Sequence, residues 1–82
     1  MKILVNLRVP AISEQFDILV PDSLRIRKIA TLLAKMVAEL SEQMYVSSGQ
    51  EVLCSVEQNI LLKPNGTLRS YGIKNGDHLL LI

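Results

Sequence analysis

Two segments near the start of the chain alternate between apolar and polar residues with a period of two. In residues 2–9 (KILVNLRV) every second side chain is apolar, and only Leu4 interrupts the polar face. Pro10 ends this run, a turn is expected over Pro10–Ser13, and Glu14–Val20 (EQFDILV) alternates again. Such alternation is typical of strands with one buried face. The two segments therefore predict an N-terminal β-hairpin.

The spacing of apolar residues changes to the helical period between Leu24 and Ser41. The residues at 21–23 (PDS) end the second strand and are candidate helix caps, because short side-chain oxygens accept hydrogen bonds from free backbone N–H groups. One stripe of the helix is apolar and is predicted to pack on the sheet: Ile26, Ile29, Leu33, Met36, Val37 and Leu40, with Ala30 at its edge. The opposite side is polar and carries Arg27, Lys28, Thr31, Lys35 and Glu39. We expect burial of this stripe to be the main stabilising contact of the fold.

Three short strands are predicted after the helix. Residues 41–50 are polar and contain Ser-Ser-Gly, which indicates a loop. Glu51–Val56 alternates, with Val52, Cys54 and Val56 on the face predicted to be buried. A brief strand at 60–62 precedes a strong turn at 63–66 (KPNG). A turn-rich crossing at 67–73 and a tight turn at 75–76 then lead to a closing strand at 78–82.

This order of elements fits the β-grasp, an α+β fold in which a mixed sheet of about five strands packs on one helix. In that fold the first and last strands pair in parallel at the sheet centre, and both segments here are as apolar as central strands require. A chain of 82 residues makes one domain near the lower limit for a self-sufficient core. We therefore expect a single domain over residues 1–82.

Composition narrows the function classes. Nine basic and eight acidic side chains nearly cancel, and there is no Trp, so the chain lacks both the charge and the aromatic surfaces that nucleic-acid binding uses. No apolar segment approaches the ~20 residues that span a bilayer, and no signal peptide is recognisable. The single cysteine has no internal disulfide partner and no metal-ligand cluster around it. We expect a cytoplasmic protein with no cofactor, no nucleic-acid partner and no direct membrane insertion.

Three segments resemble one branch of the β-grasp proteins, the YukD-like (EsaB-like) ubiquitin-like proteins of type VII secretion systems. They are the strand exit Leu19-Val20-Pro21-Asp22, the helix opening Ile26-Arg27-Lys28-Ile29, and the pattern from Tyr71-Gly72-Ile73 through Asn75-Gly76-Asp77 to Leu79. The resemblance implies a cytoplasmic, non-enzymatic accessory factor of a membrane export machine that moves WXG100-type substrates. It implies protein partners in that machine, such as its membrane ATPase or a membrane subunit. The pattern of the family contains no catalytic residue that could be assigned to a position in this sequence.

The closing segment, Thr67 to Ile82, resembles the last part of ubiquitin-like domains. In those that form covalent conjugates a flexible Gly-Gly tail follows the closing strand, because glycine permits close approach of the backbone to another active site. Here Ile82 is the last residue, so we expect noncovalent binding rather than conjugation. Two alternatives stay open: a sulfur-carrier or modifier protein with a different mature end, and a ubiquitin-like domain of a longer membrane component.

Two surfaces are candidates for protein binding. Leu4, Leu80 and Ile82 are predicted to face away from the helix and to form one apolar patch, extended by Leu53 or Leu61, on the surface that partners recognise in ubiquitin. Such a patch can equally serve a homodimer, or be covered by the loop. The second surface is the basic helix face, Arg27, Lys28 and Lys35, which suits an acidic segment of a partner or serves only as a solvated face.

No catalytic constellation can be assembled from the sequence. Cys54 is predicted to be a small buried side chain, and the only histidine, His78, is predicted to face away from it. A Cys–His nucleophile is therefore not expected, nor is a metal site. Tyr71 is predicted to cover the core edge while its hydroxyl bonds a backbone group of the preceding loop. Met44 and Tyr45 either anchor a partner or fold back over the helix end.

Overall fold

The computed structural model describes residues 1–82 and contains five strands and one long helix. In chain order these are β1 (Lys2–Val9), β2 (Glu14–Pro21), α1 (Ile26–Leu40), β3 (Leu53–Ser55), β4 (Ile60–Leu61) and β5 (His78–Leu81). The strands form one sheet in the order β2-β1-β5-β3-β4, with β1 and β5 parallel and every other neighbouring pair antiparallel. The predicted α+β architecture, with the first and last strands at the sheet centre, is confirmed.

The N-terminal hairpin forms as predicted. β1 and β2 pair over their full lengths, from Lys2 opposite Pro21 to Val9 opposite Glu14. A single turn of 3-10 helix, Pro10–Ile12, connects them. The alternation places four β1 side chains in the core, and these are Ile3, Val5, Leu7 and Val9. The remaining β1 residues lie on the face of the sheet that points away from α1, here called the outer face.

The helix begins at Ile26 without a side-chain cap. Its first backbone N–H groups donate to carbonyl oxygens of the 63–66 turn instead: Ile26 to Gly66 at 2.8 Å and Arg27 to Pro64 at 3.1 Å. The prediction of a cap at 21–23 is therefore wrong. Asp22 lies four residues before the helix, too far to reach its first turn, and its carboxylate pairs with Arg69. The 63–66 turn, which the sequence predicted only as a turn, thus holds the start of the helix in place.

The buried side of α1 is rotated relative to the prediction. The core residues of the helix are Ile26, Ile29, Ala30, Leu33, Ala34 and Val37. Met36 and Leu40 were predicted to be buried, but they are 40% and 58% exposed. The reason is that the small Ala30 and Ala34 allow the helix to approach the sheet along their side. That contact turns Met36 and Leu40 away from the core.

The side chains of β3 face the opposite way from the prediction. Leu53 and Ser55 are buried against the core, whereas Val52, Cys54 and Val56 are not part of it. The pairing with β5 decides this, because Leu53 lies opposite the core residue Leu81 and cross-strand partners share a face. A serine is tolerated in the core because its Oγ accepts a hydrogen bond from the Gln58 N–H at 3.1 Å.

The two tyrosines pack on the core from different loops, one after α1 and one after β4. Tyr71 packs against the core and its hydroxyl accepts a hydrogen bond from the Lys63 N–H at 2.9 Å, as predicted. A Cβ at Gly66 would lie 2.8 Å from the Tyr71 ring, so this turn requires glycine. Tyr45 folds back into the core beneath the helix end, while Met44 stays exposed. No helix is both long enough and apolar enough to cross a bilayer.

Candidate protein-binding surfaces

The outer face of the sheet is built from rows of side chains that run across the strands. One row crosses four strands, because Arg8 pairs with Leu80, Leu80 pairs with Cys54, and Cys54 pairs with Leu61. In this row Leu80 is half-buried, Cys54 is nearly covered, and Leu61 is 63% exposed. The row therefore presents a continuous apolar strip with one cation at its β1 end.

Ile82 extends this strip. It exchanges two backbone hydrogen bonds with Val52, of 2.7 and 3.0 Å, and its side chain is 56% exposed. Because Leu81 points into the core, the residues on either side of it point outward. We call the group formed in this way the outer apolar cluster; it comprises Val52, Cys54, Leu61, Leu80 and Ile82. Leu53, which was predicted as a possible extension, is fully buried, whereas Leu61 belongs to the cluster.

Leu4 lies away from the outer apolar cluster. The parallel register places Arg8 beside Leu80, so Leu4 is four residues further along β1. At about 3.3 Å per residue this is roughly 13 Å along the strand. Leu4 instead pairs with the exposed Leu19 of β2. The prediction of one patch containing Leu4, Leu80 and Ile82 is therefore corrected to two separate apolar groups, since β1 and β5 are offset along the sheet.

A polar row separates the two apolar groups. It contains Asp17, Asn6 and His78, and Asn6 Nδ2 donates to Asp17 Oδ1 at 3.1 Å. The His78 ring and backbone N–H both contact the carboxylate of Glu57. These hydrogen bonds, first from the His78 side chain and then from its backbone, lower the pKa of Glu57. The row is polar, so neither apolar group continues through it.

Cys54 and His78 share the outer face, contrary to the prediction that they face apart. They lie on neighbouring strands two positions out of register, and no hydrogen bond joins them. Burial raises the pKa of the Cys54 thiol, which disfavours the reactive thiolate. The His78 ring is bonded to Glu57 instead. No three His, Cys, Asp or Glu side chains come together as a metal site.

The basic residues of the helix do not act as one group. Arg27 points to the flank of α1, where its Nη2 donates to Asn65 Oδ1 at 2.9 Å. Lys28 and Lys35 are exposed on the outward side of the helix and form no ion pair. Seven residues separate them, which is about 10 Å along a helix. The structure therefore brings Lys28 and Lys35 onto one side and places Arg27 beside the 63–66 turn.

One flank of α1 is apolar and was missed from the sequence. Leu32, Met36 and Leu40 are exposed at intervals of four residues, which places them on one line of the helix. This line borders a groove of about 380 Å³ that lies next to the hairpin and is lined by Ile12, Glu14, Phe16, Leu40, Ser41, Glu42 and Met44. The signal in the sequence was the apolar Leu32 outside the predicted stripe.

The opposite flank of α1 borders a second groove, of about 390 Å³. It runs between the first half of the helix and the edge strand β4, and we call it the α1–β4 groove. Its apolar wall includes Ile26, Ala30 and Leu62, and its polar rim includes Arg27 and Lys63. Sequence reasoning missed this groove because its walls come from segments that are more than 30 residues apart.

Asp22 is a further residue whose role sequence reasoning missed. It is buried, and its carboxylate accepts from Arg69 Nη2 at 3.0 Å and lies 3.3 Å from the amino group of Met1. The Arg69 backbone N–H donates to the Asp22 carbonyl at 3.0 Å. The Arg69 hydrogen bond is the main cause that lowers the pKa of this carboxyl. Asp22 therefore joins the end of β2 to the 67–73 crossing.

The sequence model of YukD, a protein of the WXG100 protein secretion system, matches residues 4–81. Among solved structures, the ubiquitin-like domain of the Mycobacterium tuberculosis type VII secretion system protein ECCD1 aligns with a TM-score of 0.80 at 14% identity, over 100% of this chain and 98% of that one. The EccD5 ubiquitin-like domain from Mycobacterium xenopi aligns with a TM-score of 0.73 at 18% identity, over 100% and 93%.

Protomer 1 of the ESX-3 core complex aligns with a TM-score of 0.75 at 17% identity, over 100% of this chain and 16% of that one. No curated protein sequence matches the chain. At these identities the structural likenesses show a common ubiquitin-like fold, and the match over residues 4–81 shows the family.

Proposed function

Because this chain belongs to the YukD family of the WXG100 secretion system, we propose that it is a non-enzymatic accessory protein of a type VII secretion system. It acts as a single ubiquitin-like domain over residues 1–82 and binds other proteins noncovalently. Its partners are the membrane ATPase or a membrane subunit of the export machine. It works on the cytoplasmic side and reaches the membrane only through such a partner.

The observation that carries this proposal is the outer apolar cluster. Leu61 and Ile82 are mostly exposed; Leu80 lies on the central strand β5, two residues before Ile82, and is connected to Leu61 through Cys54. Single exposed leucines are ordinary, but contiguous apolar side chains on a small protein mark an interaction site. Burying each large side chain against a partner contributes about 1.5–3 kcal/mol before the costs of association. Leu4 adds a smaller, separate contact with Leu19.

The basic helix face supplies a second contact. Lys28 and Lys35 form no ion pair within the fold, and α1 has no acidic residue in its first turn. A cation near a helix N-terminus opposes the helix dipole by about 0.3–1 kcal/mol when exposed. An acidic segment of a partner offsets this unfavourable term at Lys28. Arg27 contributes from the flank of the helix, as a separate contact.

The state of Cys54 supports binding rather than chemistry. The Cys54 thiol is buried with a raised pKa and no base bonded to it, so it is unsuited to nucleophilic attack. The only imidazole, that of His78, is bonded to Glu57 instead.

The test is a pull-down under reducing conditions from cytoplasm and detergent-solubilised membrane, with the intact protein as bait. We expect a membrane component of the secretion machine to bind the wild-type protein and to be lost with Leu80→Asp. Leu19→Asp is the comparison variant, because it places the same charge on the same face in the smaller apolar group, and we expect it to weaken binding less than Leu80→Asp does. Equal loss with both variants, or retention with both, would count against the outer apolar cluster.

Conjugation is tested in the same preparation. The intact mass of the protein isolated from cells should equal that of the unmodified chain, and no adduct should survive denaturation. An adduct that persists in denaturant, or recovery of an adenylating enzyme, would establish the carrier function instead.

Leu80→Asp and Leu19→Asp should both retain the wild-type melting temperature to within a few degrees, since both sites are on the outer face.

A further inference from the structure

The α1–β4 groove is an apolar channel beside an open strand edge. Its volume of about 390 Å³ falls in the range of roughly 300–1,000 Å³ that small ligands and peptide side chains occupy. Its walls come from the helix on one side, through Ile26, Ala30 and Thr31, and from the end of the sheet on the other, through Leu61 and Leu62. Apolar side chains from a partner can therefore enter it without displacing the core.

The backbone at the sheet edge has free hydrogen-bonding groups. The Leu62 N–H donates to the Leu53 carbonyl at 2.8 Å, which makes Cys54 and Leu61 a pair without mutual hydrogen bonds. In an antiparallel sheet the N–H and C=O of such a residue point to the other side. β4 is the last strand of the sheet, so both groups of Leu61 point to its open edge. The Lys63 N–H is already bonded to Tyr71.

The rim of the groove is positively charged. Arg27 bonds only the neutral Asn65, and Lys63 has no ion pair. The one acidic residue lining the groove is Glu51, whose carboxylate already accepts from the Tyr45 hydroxyl at 2.9 Å and from a loop N–H at 2.7 Å. Two cations and one carboxylate thus leave the rim with a net positive charge, beside an apolar wall and one pair of backbone groups.

We propose that the α1–β4 groove binds a short extended segment of a partner protein that carries an apolar side chain next to acidic ones. The apolar side chain enters the groove, the segment's backbone bonds the N–H and C=O of Leu61 as an added strand, and its acidic side chains pair with Arg27 and Lys63. This inference rests on the proposed function only in that the occupant is a protein. The groove shares Val52 and Leu61 with the outer apolar cluster, but its other walls belong to α1 and to the 62–64 segment, and Leu80 and Ile82 do not line it.

The charge of the rim selects this occupant. A basic or neutral segment would leave Arg27 and Lys63 without partners, and a basic one would be repelled by them. Arg27 bonds Asn65 and Lys63 begins the same turn, so both cations lie beside the 63–66 turn and favour acidic residues next to the apolar one. Strand addition beyond Leu61 is limited, because the next N–H that would face the open edge, that of Lys63, is already bonded to the Tyr71 hydroxyl.

The experiment is a titration of the ¹⁵N-labelled protein, followed by amide chemical shifts. The probe is a capped pentapeptide of three valines flanked by aspartates, and the control peptide has lysines in place of the aspartates. We expect shifts confined to Leu61, Lys63 and the first turns of α1, with the aspartate peptide alone. Arg27→Gln combined with Lys63→Gln should weaken binding roughly fivefold, as two exposed ion pairs imply.

Two further variants make the test specific. Lys28→Gln combined with Lys35→Gln removes the same charge from the outward side of the helix and should leave peptide binding unchanged. Thr31→Trp should block the groove by size without changing charge, since Thr31 is exposed and lines it. Equal binding of the lysine peptide, shifts centred on Leu80 and Ile82 instead of the groove, or no shifts at millimolar peptide would each overturn the inference.

The two proposals fail separately. If the groove variants keep the partner that Leu80→Asp loses in the pull-down and bind the aspartate peptide as the wild type does, the groove inference is wrong and the proposed function stands. If the aspartate peptide binds in the groove but no secretion component is recovered, the proposed function fails while the groove remains a peptide site. Dimerisation of the protein through this edge, suppressed by Thr31→Trp, would also overturn the partner segment as its occupant.

Discussion

The position of the helix on the sheet is best tested by truncating two adjacent leucines. Leu33 is 1% exposed and lies in the middle of the buried side of α1, whereas Leu32 is 42% exposed on its apolar flank. The two substitutions to alanine remove the same atoms from the same helix and barely change its intrinsic propensity. Any difference in stability between them therefore measures burial.

The expected loss for Leu33→Ala is large relative to the whole domain. Removing a buried leucine side chain costs about 2–5 kcal/mol, because the surrounding core closes the cavity only in part. An 82-residue domain is stable by roughly 4–12 kcal/mol at the usual 0.05–0.15 kcal/mol per residue. For Leu32→Ala we expect a loss of under about 1 kcal/mol, since its environment changes less on folding.

Urea unfolding followed by circular dichroism at 222 nm measures both losses. With an m value of about 1–1.5 kcal/mol/M, a loss of about 3 kcal/mol lowers the midpoint by about 2–3 M. The midpoint of Leu32→Ala should move by less than about 1 M on the same basis. If the two variants shift the midpoint equally, or if Leu32→Ala shifts it more, a different side of α1 faces the sheet. Leu32 would then be buried, and the apolar flank would not be exposed to solvent.

Three further predictions concern ionisable groups. Arg69 lowers the pKa of Asp22 below its ordinary 3.8, so this stabilisation is complete above that value and is lost as the pH falls through the lowered pKa. Arg69→Gln should lower the melting temperature at neutral pH and make it fall less on acidification; an equal acid loss in both proteins would contradict the pairing. Burial and the hydrogen bond to Glu51 raise the pKa of Tyr45 to about 12, so its stabilisation is present below its ordinary value of 10.0 and is lost as the pH rises through about 12. In an absorbance titration Tyr45→Phe should remove a tyrosine step near pH 12, and persistence of that step would refute the assignment. Burial raises the pKa of the Cys54 thiol, so a disulfide reagent should modify it slowly in the native protein and quickly in urea; equally fast modification in both would show an exposed thiolate.

The parts of the fold that the sequence predicted correctly are those with a strong local pattern. β1 and β2 each have a polar face in water and an apolar face in the core, so alternation identifies both their existence and their orientation. The N-terminal hairpin and the parallel pairing of β1 with β5 follow from that pattern and from the order of elements. Tyr71 was predicted from the need of a buried phenol for a hydrogen-bond partner.

Errors arose where two residue types satisfy the pattern equally well. In β3 both Leu53 and Cys54 are apolar, so only the pairing with β5 decides which faces the core. In α1 the alanines do not stand out from the pattern, although Ala30 and Ala34 bring the helix close to the sheet and set its rotation. The offset between Leu4 and Leu80 depends on the register of β1 with β5, which has no local signal.

The exposure of Leu80 follows from its neighbours in β5. Leu79 and Leu81 fill the core, so the period of two requires residues 78, 80 and 82 to face outward. His78 satisfies this position as a polar side chain bonded to Glu57. A shift of one residue would bury that imidazole and expose two core leucines, which is far more costly. The fold thus fixes the outward direction of position 80, but it does not require a leucine there. A polar residue would also fit at this position, and an apolar one is what we expect there if the proposed partner covers the outer apolar cluster.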